Sequence, residues 1–219
     1  MIPFIIVYAL LLCVYFYTRT SGNVKARAIN KYIMALMYMV YAIIQFQNHE
    51  FLSHHLICII ALFFAFLGDI FLVFDLNRGG DFFLCGNVCF TVYYLTVFTD
   101  KGYVFGDYYW VLIAWAAMLL LFIFFSNKFP NVFKMGKMKW PMTFYLSSIM
   151  LHGMFGLGAM ILNPSLPVFI LGLGSLMFMI SDLILTVDKF VVTGTKWIVR
   201  CNSFFYFIGL LLIALSIGL

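Results

Sequence analysis

Eight apolar stretches follow one another through this chain with little between them, and few folds can accommodate that pattern. They run over residues 2–18, 32–48, 56–75, 82–99, 108–126, 141–162, 166–187 and 201–218. Each approaches the length of about 20 apolar residues that a helix needs to cross the hydrocarbon core of a bilayer. No water reaches that core to satisfy backbone polar groups, so only helices and closed barrels span it. Of the 219 residues, 65% are hydrophobic and only 10% are charged, with a mean hydropathy of +1.08, whereas a soluble domain has about 25% charged residues. The expected fold is therefore all-α: a polytopic membrane protein of eight transmembrane helices forming a single membrane domain over residues 1–219. Residues 2–18 lack the basic n-region and small-residue exit of a signal peptide, so they are expected to be retained as the first helix.

The charges give these helices a direction. The formal net charge is +5, and twelve of the thirteen Lys and Arg residues fall between the first and second, third and fourth, fifth and sixth, or seventh and eighth stretches. The even-numbered loops hold only Lys101. Cytoplasmic loops carry the excess of Lys and Arg. The odd loops are therefore expected in the cytoplasm, with both termini on the other side. Charge used this way reports topology, and no nucleic-acid partner is expected. The five cysteines form no C-x-x-C pair and are odd in number, so neither a disulfide framework nor a zinc site is indicated.

Against this apolar background two short segments stand out because they resemble each other. Residues 67–75 read LGDIFLVFD and residues 180–188 read ISDLILTVD. Each sets an acid after a small residue and a second acid six positions on. Asp69 and Asp182 fall inside apolar spans, where an ionisable group is costly and marks a functional site by default. Asp75 and Asp188 fall at the span ends beside Arg78 and Lys189, where solvated pairing is expected. The offset of 113 residues also brings the basic segment 19–31 into overlap with the basic segment 127–140 and pairs Tyr93 with Tyr206. Helices 1–4 and 5–8 are expected to be parallel pseudo-repeats, residues 1–106 and 107–219, about an axis along the membrane normal. In such an arrangement Asp69 and Asp182 lie at similar depth and face one cavity.

Two carboxyls in one low-dielectric cavity cannot both ionise cheaply. The pair is expected to hold one neutral acid and one carboxylate, the division used in general acid–base hydrolysis. Other machinery is thin. Ser181 precedes Asp182, but no histidine is placed to activate it and no G-x-S-x-G elbow is present. Of the four histidines, His49, His54 and His55 lie near the second loop, and His152 alone is mid-span. His152 is either a polar lining residue or a packing residue, with packing favoured; no metal and no cofactor is expected. The purely structural alternative gives the two acids hydrogen-bond partners among Asn87, Tyr94, Tyr145, Asn202 and Tyr206. Lys31, Arg78 and Lys189 sit where a phosphate head group could be received, or serve only as topology markers.

These motifs resemble the YhhN-like family of integral membrane proteins, and the resemblance extends over nearly the whole chain. Its carriers are Leu67-Gly68-Asp69 with the following Phe83, Leu84, Gly86 and Phe90. Further carriers are Pro141, Tyr145 and Met150, then Gly174, Phe178, Ser181 and Asp182, then Lys189-Phe190 and Phe205-Tyr206. Three positions depart from the pattern: Tyr94 stands where a histidine is common, Gly209 where a glutamine is usual, and no proline follows Lys31. The resemblance implies a lysoplasmalogenase: an ether hydrolase that cleaves the vinyl ether of an alkenyl glycerophosphocholine or glycerophosphoethanolamine. The products are a fatty aldehyde and a glycerophospho-base. Asp69 and Asp182 would be the catalytic pair, with Asp182 the favoured acid and a lysophospholipid in the membrane the partner. The alternative is a proton-coupled transporter or lipid-binding protein that uses the same aspartates as a relay.

Overall fold

A computed structural model describes residues 2–20, 23–48, 53–192 and 195–219. His49 lies outside the described residues, as does the side chain of His54. Eight α-helices follow in order: α1 (Ile2–Thr20), α2 (Val24–Asn48), α3 (Ser53–Phe71), α4 (Leu76–Asp100), α5 (Phe105–Lys128), α6 (Lys139–Leu162), α7 (Leu166–Phe190) and α8 (Lys196–Ser216). No strand occurs among the described residues. Seven helices are long and apolar enough to cross a membrane, while α3 offers a shorter apolar stretch over His55–Phe71. The protein is an integral, multi-pass helical membrane protein.

Helix ends differ from the apolar stretches in an instructive way. α2 begins at Val24, well before the apolar residues start, so Lys25, Arg27 and Lys31 stand on helix rather than in a loop. Hydropathy registers the hydrocarbon core, whereas backbone hydrogen bonding carries a helix on into the interface. α3 does the reverse and stops at Phe71, short of the expected end at residue 75. There Asp75 is the N-cap of α4, its side chain accepting the Asn77 N–H at 2.8 Å; short polar side chains at this position satisfy otherwise unpaired amides. Gly79 permits the tight return, because a Cβ there would lie 2.7 Å from the Leu72 backbone. The matching segment of α7 runs on unbroken through Asp188 to Phe190. The two similar motifs thus adopt different backbones at their ends.

Packing follows the small residues. α7 and α8 form an intimate pair, as do α3 and α4. A Cβ on Gly174 would meet the Gly209 carbonyl at 2.7 Å, and one on Gly209 would meet the Gly174 carbonyl at 2.8 Å. Lipid tails are as apolar as side chains, so close backbone approach and interhelical hydrogen bonds hold membrane helices together. Several such bonds bind this bundle: Tyr8 hydroxyl to the Phe207 carbonyl at 3.0 Å, Trp115 Nε1 to the Ser147 carbonyl at 2.9 Å, and Asn202 Nδ2 to the Ser181 carbonyl at 2.8 Å. α5 sits at the periphery with Val111 and Ser126 as its buried residues. α3 and α7 are each flanked by other helices, and between their acid-bearing ends a cavity opens.

Candidate active site

Asp69 and Asp182 line the same cavity, of about 780 Å³. Asp69 is the seventeenth residue of α3 and Asp182 the seventeenth of α7. Both are buried, at 0% and 3% exposure. A bare carboxylate in such a place is costly, and the two acids meet that cost differently.

Asp69 has a cation. Lys31 Nζ lies 3.0 Å from its Oδ1, and the lysine side chain is itself only 12% exposed. The Tyr38 hydroxyl donates to Oδ2 at 3.3 Å. Lys31 and Tyr38 are seven residues apart on α2, two turns along one face, so a single helix presents both. Asp182 has no ion pair among the described residues; the Tyr145 hydroxyl of α6 donates to its Oδ2. Asn202 of α8 fixes the turn that carries Asp182 by donating to the carbonyl and hydroxyl oxygens of Ser181, at 2.8 and 3.2 Å. The Tyr206 hydroxyl is buried in the cavity wall and faces Asp69 and Tyr38. Its ring meets Phe83 and Phe178 edge-on, with centroids 6.0 and 5.5 Å apart, giving the cavity an aromatic floor.

The cavity takes in Lys31, Tyr145, Lys189, Asn202 and Tyr206 along with the two aspartates. Other expected residues lie elsewhere. Arg78 is on the surface, 72% exposed and 3.7 Å from Asp75, and does not line the cavity. Lys31 is an internal partner of Asp69 rather than a free surface cation. Asp188 is buried rather than solvated. Ser181 is buried behind the wall, held by Asn202.

Asn87, Tyr94 and His152 belong to a separate polar cluster between α4, α6 and α7. There the Ser175 hydroxyl meets Tyr94 at 2.7 Å and His152 Nε2 at 2.8 Å, and Asn87 donates to the Ser148 hydroxyl at 3.3 Å. His152 also stacks on Phe90 at 4.5 Å. It is a packing residue with one hydrogen bond and does not line the cavity. Sequence reasoning missed Tyr38, Asp81, Arg19 and Arg27 as cavity or site residues. A signal existed for Arg27, which precedes Lys31 by four and therefore shares its face of the helix.

Every helix end that walls the cavity lies on the side of the odd-numbered loops: the ends of α1, α3 and α7 and the starts of α2, α4, α6 and α8. Phe144 lines the cavity and yet is 70% exposed on the outside of the bundle. The cavity therefore reaches the lipid-facing surface near α6 as well as the loop end. Among the described residues, no group of three or more His, Cys, Asp or Glu side chains could hold a metal ion.

No curated protein and no solved structure matches this chain. One family model does, over residues 26–217, taking in the two aspartates and every helix but α1. The chain belongs to the YhhN family.

Proposed function

We propose that this protein hydrolyses the vinyl ether bond of lysoplasmalogens, releasing a fatty aldehyde and a glycerophospho-base. One observation carries the reading: two buried carboxyls line one cavity with unequal partners, Asp69 beside an ammonium and Asp182 beside a hydroxyl. Membership of the YhhN family is consistent with it. The Lys31 ammonium offsets the charge of an ionised Asp69. Asp182, without a cation, is the natural holder of a proton and serves as the acid.

A vinyl ether hydrolyses by protonation of its β-carbon. The proton leaves Asp182, a C–H bond forms at that carbon, and the C=C electron pair is consumed. The adjacent carbon becomes an oxocarbenium ion, facing Asp69 and the newly formed Asp182 carboxylate. Water adds to that carbon and yields a proton to the carboxylate pair, restoring the acid. The resulting hemiacetal collapses to the aldehyde and the glycerol hydroxyl. General acid–base catalysis contributes about 10²–10⁴-fold, and the logic parallels two-carboxylate glycoside cleavage through an oxocarbenium-like state. A single-chain lipid suits a cavity open both to the loop end and to the lipid-facing side at Phe144.

The test is aldehyde release by purified protein from 1-alkenyl lysophosphocholine and lysophosphoethanolamine. Aldehyde should appear with at least one of them and not with the saturated 1-alkyl analogues, which have no double bond to protonate. No aldehyde from either alkenyl lipid would refute the proposal.

A further inference from the structure

Most basic residues of this protein behave as simple topology markers: Lys25, Arg78, Lys196 and Arg200 are exposed and lie outside the cavity. Arg19 and Arg27 do not follow them. Both are only partly exposed and line the cavity, with Lys189 completing the group from the end of α7. None of the three has an ion pair among the described residues. The Nε of Arg19 is buried with no hydrogen-bond partner, and a buried donor left unpaired is destabilising by about 1–3 kcal/mol, more for a charged group. Such a group is tolerable where a ligand supplies the acceptor.

The sign of the cavity fits an anion. Arg19, Arg27, Lys31 and Lys189 line it against Asp69, Asp81 and Asp182, and Lys31 is already committed to Asp69. Distance fits as well. Lys189 lies seven residues beyond Asp182 on α7, about 10 Å along the helix at ~1.5 Å per residue, and Arg27 lies one turn outward of Lys31. That rise exceeds the five-bond span from a glycerol-linked phosphate to an ether at the opposite carbon, and the long side chains of Lys189 and Arg27 make up the difference by reaching back toward the aspartates. Guanidinium groups match phosphate oxygens two at a time.

We propose that Arg19, Arg27 and Lys189 form a phosphate site at the cavity mouth that holds the phosphodiester of a single-chain ether lipid, setting its ether bond between Asp69 and Asp182. The site rests on the hydrolase reading for its lipid, but binding can be read without turnover. The chain is then specific for phosphorylated ether lipids over neutral alkenyl- or alkylglycerols.

The experiment uses full-length protein carrying Asp182→Asn, in neutral detergent, and measures affinity for 1-O-alkyl lysophosphocholine and for 1-O-alkylglycerol. The phospholipid should bind at least about tenfold more tightly, roughly one charge-assisted hydrogen bond. Adding Arg19→Gln with Arg27→Gln should abolish the preference, Lys189→Gln alone should reduce it, and Lys25→Gln should leave it unchanged. Melting curves confirm folding, and the single Lys189→Gln change at an exposed position keeps the test available should the double variant fold poorly. Equal affinities in the parent, or a preference that survives both arginine changes and Lys189→Gln, would overturn the site. Displacement of the lipid by inorganic phosphate alone, at the same concentration as glycerophosphocholine, would assign the site to free phosphate and overturn the lipid assignment. A protein that binds with this preference but releases no aldehyde keeps the site and loses the hydrolase reading. Aldehyde release without phosphate preference does the opposite.

Discussion

Lys31 and Asp69 are stable in the bundle only as partners. Removing one member of a buried pair leaves an uncompensated charge and is destabilising by about 3–5 kcal/mol. Lys31→Met should therefore lower the melting temperature sharply, and Lys31→Met combined with Asp69→Asn should recover most of the loss, as thermal unfolding in detergent would show. Asp182 has no such dependence, so Asp182→Asn should leave melting nearly unchanged. Its effect belongs to turnover, as does that of Asp69→Asn: each should lower aldehyde release by at least about 10²-fold. Full activity in either variant would remove it from the catalytic pair. The residues that carry the acids were legible because a charge inside an apolar span has few bland explanations. Their unequal partners were not: Lys31 and Asp69 are 38 positions apart, and nothing in either local pattern announces that they meet.

Among elements, the α7–α8 contact makes the clearest demand. Gly174 and Gly209 each present a carbonyl less than 3 Å from where the other would place a Cβ. Gly174→Ala and Gly209→Ala should each destabilise the folded state by about 1–3 kcal/mol through overpacking, read as lowered melting temperatures. The same geometry accounts for one departure from the family pattern. A glutamine at position 209 has no room here, because the space is occupied by the backbone of α7. A second departure, Tyr94, bonds to Ser175 in a cluster that does not line the cavity. Neither position touches the two aspartates. The length of the apolar stretches made the helices legible but not their ends, since α2 extends outward by eight residues from its expected start and α3 ends early where Asp75 caps α4. Capping is a matter of one side chain and one amide, and an apolar-run reading passes over it.

At the scale of the molecule, the neighbour pattern has a rhythm of four. α1 beside α2, α2 beside α3 and α3 beside α4 are matched by α5 beside α6, α6 beside α7 and α7 beside α8, and α4 beside α6 is matched by α8 beside α2. α1 also meets α8, with no comparable contact between α5 and α4 among the described residues, so the two parallel four-helix units stand as a proposal. The expected division at 106/107 cuts into α5, which begins at Phe105; if each unit is a folding unit, the halves 1–102 and 103–219, expressed as separate chains in one membrane, should co-purify, and failure of both halves to accumulate or associate would count against it. From the basic residues we propose that the odd-numbered loops are cytoplasmic: a cysteine introduced at Lys137 should then react only from the cytoplasm and one at Lys101 only from the opposite face, and the reverse pattern would invert the topology. In that proposed orientation the cavity mouth would open on the cytoplasmic side. The most direct test of the central claim is the fate of the proton. Turnover of a 1-alkenyl lysophospholipid in heavy water, followed by mass spectrometry of the aldehyde, should place one deuteron on the carbon next to the carbonyl, and Asp182→Asn should yield almost no such product. Aldehyde without deuterium at that carbon, or deuterated aldehyde formed equally well by Asp182→Asn, would contradict the account.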